Sequence, residues 1–480
     1  MGLRHIYIWY SSFIILHSSL RTQRSIPTIS MRIHLIATGG AIMHNLAIAL
    51  HNTGHEVSGS DDEIYNPARD RLEKYGLLPE KMGWDAKRIT KDLDCIILGM
   101  HARINNPELK KAQKLKIPVY SFPEYIYKES TKKKRVVVAG SHGKTTTTSM
   151  IMHVLRESKV KFDYLVGAQL EGFETMVQLS DAPVIILEGD EYLSSPIDRR
   201  PKILHYQPDV TIITGIAWDH INVFATFEGY VGEFEKYVKT IKKGGAFIYY
   251  APDEHLQKIA TIAKGVEVIP YEGFDSTIKK GKTILLSPKG KEVPLQIIGQ
   301  HNLENLKAAY HACNKIGITD AKFFKAIQTF KGASKRLDLL KETKKSIAYR
   351  DFAHAPSKVK ATVTALKAQY PKRKLVACVE LHTFSSLNKK FLPQYNGALE
   401  AADTAYVFFS EHTLKMKKLP PITKADIQKH FQHKNLKVFN HRGQLHGALK
   451  RHNWKGKNLL MMSSGTFDGT DFGVLVEKIF

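Results

Sequence analysis

The residues best placed to do chemistry sit in one run, Gly140-Ser141-His142-Gly143-Lys144-Thr145-Thr146. It follows the β-branched stretch Val136-Val137-Val138-Ala139 and opens a helical segment that continues through Leu155. Backbone N–H groups of such a loop can wrap a phosphate chain, a lysine can neutralise the terminal phosphates, and a threonine hydroxyl can bind Mg²⁺. The spacing is G-x-x-G-K-T, shorter than the usual phosphate-loop pattern. A glycine turn with an incidental lysine is the bland alternative, and the strand before and helix after weigh against it. A second run, Val184 to Leu187, ends in Glu188-Gly189-Asp190-Glu191-Tyr192. Three carboxylates at the end of a buried strand are costly unless a cation meets them. Mg²⁺ shared with a nucleotide would do so, since it takes oxygen ligands; an acidic surface loop is the bland reading. A third run, Val210 to Thr214, leads to Trp218-Asp219-His220.

The elements that must position these groups are parallel strands, whose C-terminal ends carry ligand sites in α/β folds. The chain reads as α/β from its start. Ile33 to Ala37 is a strand, Gly39-Gly40 a turn, Ala41 to Asn52 a helix, and His55 to Asp61 a second strand ending in an acid. That is the layout of a nucleotide-binding βαβ unit, with the glycines near a diphosphate and Asp61 near a ribose; Asp61 serves equally as a turn residue. The full G-x-G-x-x-G is absent. Further strands are expected at Cys95–Gly99 and Ile117–Tyr120, with a basic amphipathic helix from Asn106 to Lys116 between them. Late in the chain, Ser346–Asp351, Leu375–Glu380 and Leu459–Ser463 read as strands of another α/β unit.

The chain has 480 residues, 43% hydrophobic and 24% charged, which excludes wholesale disorder and suggests about three domains. Cys95, Cys313 and Cys378 are too few and too scattered for a disulfide framework or a four-cysteine zinc site, and fit a reducing cytoplasm. Residues 1–30 read as an appended or mis-called segment, because Met31 begins a buried strand at once. No stretch after it is long and apolar enough to span a bilayer, so stable membrane insertion is not expected. The net charge is +25, and residues 331–480 alone hold 28 Lys+Arg against 11 Asp+Glu. A basic P-loop-like nucleic-acid ATPase would explain that excess. Its scattered lysines, without regular aromatic interleaving, instead read as solvated surface with a share for anionic ligands. The run Lys132-Lys133-Lys134-Arg135 reads as a solvated linker, and Lys331-Gly332-Ala333-Ser334-Lys335 as another.

Taken in order, the motifs resemble those of the ATP-dependent Mur ligases, which join amino acids or peptides to UDP-N-acetylmuramate. The three strand-end motifs are followed by Gly299-Gln300-His301-Asn302-Leu303-Glu304-Asn305, Lys335-Arg336-Leu337-Asp338 and Asp351-Phe352-Ala353-His354-Ala355-Pro356. The resemblance runs from Met31 to the C-terminus. It implies a Rossmann-like UDP-sugar domain over 31–130, a P-loop-type ATP domain over 131–331 and a Rossmann-like ligase domain over 332–480. It implies that Gly39, Gly40, Asp61 and Asn106 face the UDP sugar. Gly140 to Thr146 would hold the phosphates of ATP, His301, Asn302 and Asn305 its adenine side, and Arg336, Asp351 and His354 its phosphate and ribose from the third domain. Thr145, Glu188 and His220 would hold Mg²⁺, with Glu191 and His220 candidates for a general base. Lys144, Glu188, His220 and Arg336 form the implied catalytic set. Tyr192, Asp198 with Arg200, and His205-Tyr206 match the branch that rejoins recycled L-Ala-γ-D-Glu-meso-diaminopimelate. Leu381-His382-Thr383-Phe384-Ser385-Ser386 is closer to the L-alanine-adding branch, which stays open. His44 and Asn45 stand where the family has small residues. No nucleic-acid partner is implied, and the chain is expected to be a monomer or weak homo-oligomer.

Overall fold

Short runs of β-branched and apolar residues, each closed by glycine, proline or a polar cluster, set the strands of three main sheets and one small antiparallel sheet. The computed structural model describes residues 30–218, 224, 226–333 and 336–480. In the first sheet, β1 (Arg32–Ile36), β2 (Glu56–Ser60), β3 (Cys95–Leu98) and β4 (Val119–Ser121) pair in parallel in the order β2-β1-β3-β4. Alternation sends Ile33 and Leu35 toward the helix Ala41–Asn52, and Ile36, Ile96 and Leu98 toward the helix Pro107–Leu115.

The central sheet contains β5 (Lys134–Ala139), β6 (Asp163–Leu165), β7 (Val177–Gln178), β8 (Val184–Glu188), β9 (Val210–Ile213), β10 (Ala246–Tyr250) and β11 (Glu267–Tyr271). Their order is β11-β10-β9-β5-β8-β6-β7, parallel except for β7. Val136 and Val138 pack with Ile186, Ile212 and Leu306 on one face; Val137, Ile185, Leu187 and Phe247 pack with Tyr230 and Phe234 on the other. Both faces are buried, which is why these strands read as continuous apolar runs. A small antiparallel sheet of β12 (Ser276–Lys279), β13 (Lys282–Leu286) and β14 (Glu292–Leu295) follows.

The third sheet takes the order β15-β16-β20-β17-β18-β19, from β15 (Asp338–Glu342), β16 (Ile347–Asp351), β17 (Lys374–Leu381), β18 (Thr404–Phe409), β19 (Leu436–Phe439) and β20 (Lys457–Met462). Only β15 is antiparallel. Among the described residues, no helix is long and apolar enough to cross a membrane. All three cysteines are free and buried.

The run at 132–135 is not a solvated linker. Lys134 and Arg135 already belong to β5, and Arg135 is 1% exposed. Its guanidinium donates to the carbonyls of Ser130 and Gln207, while Lys133 pairs with buried Asp163 at 2.5 Å. Buried cations persist when their donors are taken up, and here carbonyls and one carboxylate take them up. Residues 1–29 and the linker positions 334 and 335 lie outside the described residues.

Candidate active site

Two motif strands, β5 and β8, are hydrogen-bonded neighbours, and β9 flanks β5, so three polar strand ends converge. The loop after β5 needs its glycines. Gly140 has φ +117 and Gly143 φ +81, and a β-carbon on Gly143 would collide with the side-chain oxygen of Asn305. Gly143 caps the helix Lys144–Glu157, whose first N–H groups face the loop. A helix N-terminus with free N–H groups and a positive dipole end favours phosphate.

Lys144 folds back over this loop. Its Nζ donates to the Gly140 carbonyl at 2.5 Å and to Glu191 Oε2 at 2.9 Å. Burial works against its charge, yet Glu191, Asp190 and Glu188 outweigh burial and hold the ammonium above the usual lysine range. Glu191 is 1% exposed and accepts a second bond from the Tyr230 hydroxyl at 3.1 Å. Tyr230 in turn shares a hydrogen bond with Ser141 Oγ at 2.9 Å, and Ser141 Oγ accepts from the Ala217 N–H at 2.8 Å. Lys144, Glu191, Tyr230 and Ser141 therefore form one connected network linking the ends of β5, β8 and β9.

Glu188 ends β8. Its Oε1 accepts from Thr145 Oγ1 at 2.7 Å and its Oε2 from the Gly167 N–H at 2.8 Å. Burial raises its pKa, because a carboxylate away from water favours the neutral form. A hydroxyl oxygen beside a buried carboxylate is a hard-oxygen pair of the kind Mg²⁺ takes when phosphates and water complete its shell. Among the described residues no cluster of three or more His, Cys, Asp or Glu side chains is arranged for a metal. Asp219 and His220 lie outside the described residues.

The third sheet meets this site from the other side. His142 Nδ1 donates to the Ser141 carbonyl at 2.8 Å, and its Nε2 lies 3.1 Å from Ser357 Oγ, near the start of the helix Pro356–Gln369. Thr146, Asn302, Lys331, Arg336, Leu337 and Tyr349 line one narrow cleft between the helix Gln300–Lys315 and the third sheet. Asn302 donates to the Ile298 carbonyl at 2.8 Å, and Asn305 accepts from Thr147 Oγ1 at 3.3 Å. Burial lowers the pKa of His301 and keeps its imidazole neutral. The Arg336 guanidinium lies 5.0 Å over the Phe352 ring. Asp351 accepts from the N–H groups of Leu337 and Ala353, each at 2.7 Å, so it joins the two loops that carry Arg336 and His354. His354 Nδ1 sits 2.8 Å from the Phe352 carbonyl.

The glycine turn of the first sheet is tied to the end of β2. Gly39 N–H donates to Asp61 Oδ2 at 2.7 Å, and burial, aided by neighbouring Asp62, pushes the Asp61 carboxyl up to about 6. Asn106 caps the helix Pro107–Leu115, accepting from the N–H groups of Glu108 and Leu109. Tyr230, Gly167 and Ser357 belong to the site's hydrogen-bond networks without any signal in the sequence. Each approaches from a remote loop or helix and carries no local motif.

A parallel-stranded P-loop unit, with a hydroxyl–carboxylate pair at the neighbouring strand end and flanked by two more α/β sheets, is the architecture of an ATP-dependent ligase. Comparison with known proteins gives the family. Residues 138–313 match the Mur ligase middle domain, and residues 32–132 match the Mur ligase family, catalytic domain. The chain is 30% identical over 350 residues to the UDP-N-acetylmuramate–L-alanyl-γ-D-glutamyl-meso-2,6-diaminoheptandioate ligase of Escherichia coli, covering 71% of this chain and 76% of that one. It is also 30% identical over 386 residues to the UDP-N-acetylmuramate–L-alanine ligase of Clostridium kluyveri, covering 77% and 82%. A murein peptide ligase structure from Psychrobacter arcticus shares the fold, with TM-score 0.61 and 21% identity over 94% of this chain and 99% of that one. The chain belongs to the Mur ligase family. It is an ATP-dependent, amide-bond-forming ligase.

Proposed function

We propose that the chain joins the lactyl carboxylate of UDP-N-acetylmuramate to the amine of L-Ala-γ-D-Glu-meso-diaminopimelate, in the recycling of cell-wall peptide. The observation that carries the ATP half of this reading is the pairing of Lys144 with a glycine loop and of Thr145 with Glu188 at adjoining strand ends. The E. coli relative, named for that peptide ligation, carries the substrate half. In this reading residues 31–130 hold the UDP sugar, 131–331 hold ATP and 332–480 bring the amine.

A carboxylate is a poor acyl donor, so the lactyl carboxylate first attacks the γ-phosphorus in line and ADP leaves. Lys144 and the N–H groups of the Gly140–Lys144 loop orient the phosphates and offset the repulsion between two anions. Thr145 and Glu188 would hold Mg²⁺, with His220 assigned to a second ion by the family pattern; bound there, the metal supplies charge neutralisation at the phosphates. Arg336, just before β15, would meet the same phosphates from the third domain, as the family pattern implies. The amine then attacks the acyl phosphate, an amide forms through a tetrahedral intermediate, and inorganic phosphate leaves. Both oxygens of Glu191 are engaged by Lys144 and Tyr230, which suits a positioning role. We place the enzyme in the cytoplasm as a monomer or weak homo-oligomer without a nucleic-acid partner.

The 30% identity to an L-alanine ligase favours a second reading in which the amine is L-alanine. Purified protein with ATP and UDP-N-acetylmuramate, offered either the tripeptide or L-alanine, decides between them by phosphate release. Release with the tripeptide alone supports the main reading; release with L-alanine alone overturns it.

A further inference from the structure

Asn45 sits in the second turn of the helix Ala41–Asn52, where an asparagine competes with the helical backbone for its own hydrogen bonds. It is nevertheless fully buried, with both polar atoms of its side chain engaged. The directions of those bonds are forced. The Gly40 carbonyl can only accept, so the His44 proton sits on Nδ1, 2.9 Å away. His44 Nε2 is then an acceptor and takes a bond from Asn45 Nδ2 at 2.9 Å. The same Nδ2 donates to the Ala41 carbonyl at 2.7 Å, which leaves Oδ1 to accept from the Met176 N–H at 2.9 Å.

Met176 carries the run onward. It ends the segment 166–176 between β6 and β7, and its carbonyl accepts from the Val166 N–H at 2.9 Å. The next residue, Gly167, donates to Glu188 Oε2 at 2.8 Å, and a β-carbon on it would come within 2.9 Å of Glu188 Oε1. That Oε1 is the oxygen that accepts from Thr145. A continuous run of hydrogen bonds, bridged by single residues, therefore joins the Gly39-Gly40 turn of the first sheet to the carboxylate that would hold Mg²⁺. The surrounding contacts keep the two sides in register. Met43 and Leu46 share one apolar core with Leu165, Val177 and Leu187, and farther out Arg71, Lys74 and Tyr75 all reach Glu174.

We infer that Asn45 is a positioning residue that couples the UDP-sugar site to the nucleotide–metal site through the segment 166–176. This rests on the ligase reading above and adds how occupancy of one site is felt at the other. Two arrangements are in balance: a docked one, with the Asn45–Met176 bond made, and an undocked one, with that N–H given to water. A diphosphate on the Gly39-Gly40 turn fixes the Gly40 carbonyl, hence His44 and Asn45, and favours the docked arrangement. Gly167 is then held against Glu188 before the metal nucleotide arrives, so the second ligand meets a site whose ordering the first has already supplied. The coupling is reciprocal, each ligand tightening the other by one factor. A single hydrogen bond sets that factor at about fivefold.

The test is calorimetry on the full chain, with affinity for UDP-N-acetylmuramate measured with and without a saturating non-hydrolysable ATP analogue and Mg²⁺. Wild type should bind the sugar nucleotide about fivefold more tightly when the analogue is present, and Asn45→Ala should bind it equally in both conditions. Amide hydrogen exchange of wild type gives a second reading that needs no variant. Saturating UDP, which lacks the sugar and its lactyl group, should slow exchange at Val166, Gly167 and Met176 about fivefold. Absence of coupling in wild type, full coupling in Asn45→Ala, or exchange at these amides unchanged by UDP overturns the relay while the ligase reading stands. A wild-type protein that binds no UDP-N-acetylmuramate overturns both.

Discussion

Replacing Lys144 by methionine separates folding from chemistry. The substitution keeps the volume and removes the cation, so the Glu191 carboxylate, 1% exposed, loses the ammonium it met at 2.9 Å. Breaking a buried pair from one side costs about 3–5 kcal/mol. Protonation of Glu191 caps that cost. From an ordinary glutamate pKa near 4.3, neutralising it at pH 7 costs about 3.7 kcal/mol, and at pH 5 about 1 kcal/mol. Lys144→Met should therefore lose about 3 to 4 kcal/mol of stability at pH 7 and recover most of it at pH 5, read by urea unfolding. The double variant Lys144→Met with Glu191→Gln removes the buried negative charge and should regain stability at pH 7. It should not regain turnover, because the phosphate-facing cation is still missing; a loss of about 10³ in kcat corresponds to about 4 kcal/mol of transition-state stabilisation. Binding of UDP-N-acetylmuramate, measured by calorimetry, should change by less than twofold in both. Two results refute the reasoning: a single variant as stable as wild type at pH 7, or a double variant that releases phosphate at the wild-type rate.

The remaining predictions are narrower. Gly143→Ala forces a left-handed φ of +81 on a residue with a β-carbon and drives it into Asn305. It should cost about 1–2 kcal/mol from the backbone alone and raise KM for ATP more than tenfold, seen in thermal unfolding and in turnover. Ser357→Ala removes the hydroxyl facing His142 and should raise KM for ATP about two- to tenfold while lowering the melting temperature by no more than a few degrees, as a single hydrogen bond is worth about 0.5–1.5 kcal/mol. His44 is held neutral: burial lowers its pKa despite the Gly40 carbonyl. A histidine whose folded pKa is depressed loses stability as pH falls below the unfolded value of about 6.5, since the unfolded chain binds the proton more readily. Wild type should therefore lose stability relative to His44→Gln between pH 7.5 and 5.5, and equal slopes for the two would remove the assignment.

What is legible in the sequence is local. Val136 to Ala139, Val184 to Leu187 and Val210 to Ile213 are buried on both faces, so each reads as an unbroken apolar run, and the polar groups that follow must lie at strand ends. That alone puts Glu188 and Lys144 at strand ends; the pairing of β5 with β8 in the folded sheet is what brings them together. The apolar runs say nothing of Tyr230 and Gly167, because each reaches Glu191 or Glu188 across a separation that only the folded sheet brings together. His44 and Asn45 stand out as misfits in the first glycine turn for a related reason. His44 Nδ1 pairs with the Gly40 carbonyl at 2.9 Å, Asn45 donates to Ala41 O and pairs with His44 Nε2, and Asn45 Oδ1 accepts from the Met176 N–H at 2.9 Å. Their polarity is satisfied partly from the central sheet's neighbourhood, so the pair fastens the first glycine turn to a segment over a hundred residues away. The basic excess divides along the same line. Lys133 and Arg135 are consumed inside the fold, and Lys144 inside the site, because buried partners await them. The exposed lysines of the third sheet's far loops, Lys390, Lys415 and Lys418, keep their charge at the surface, where it is free to act on an incoming anion.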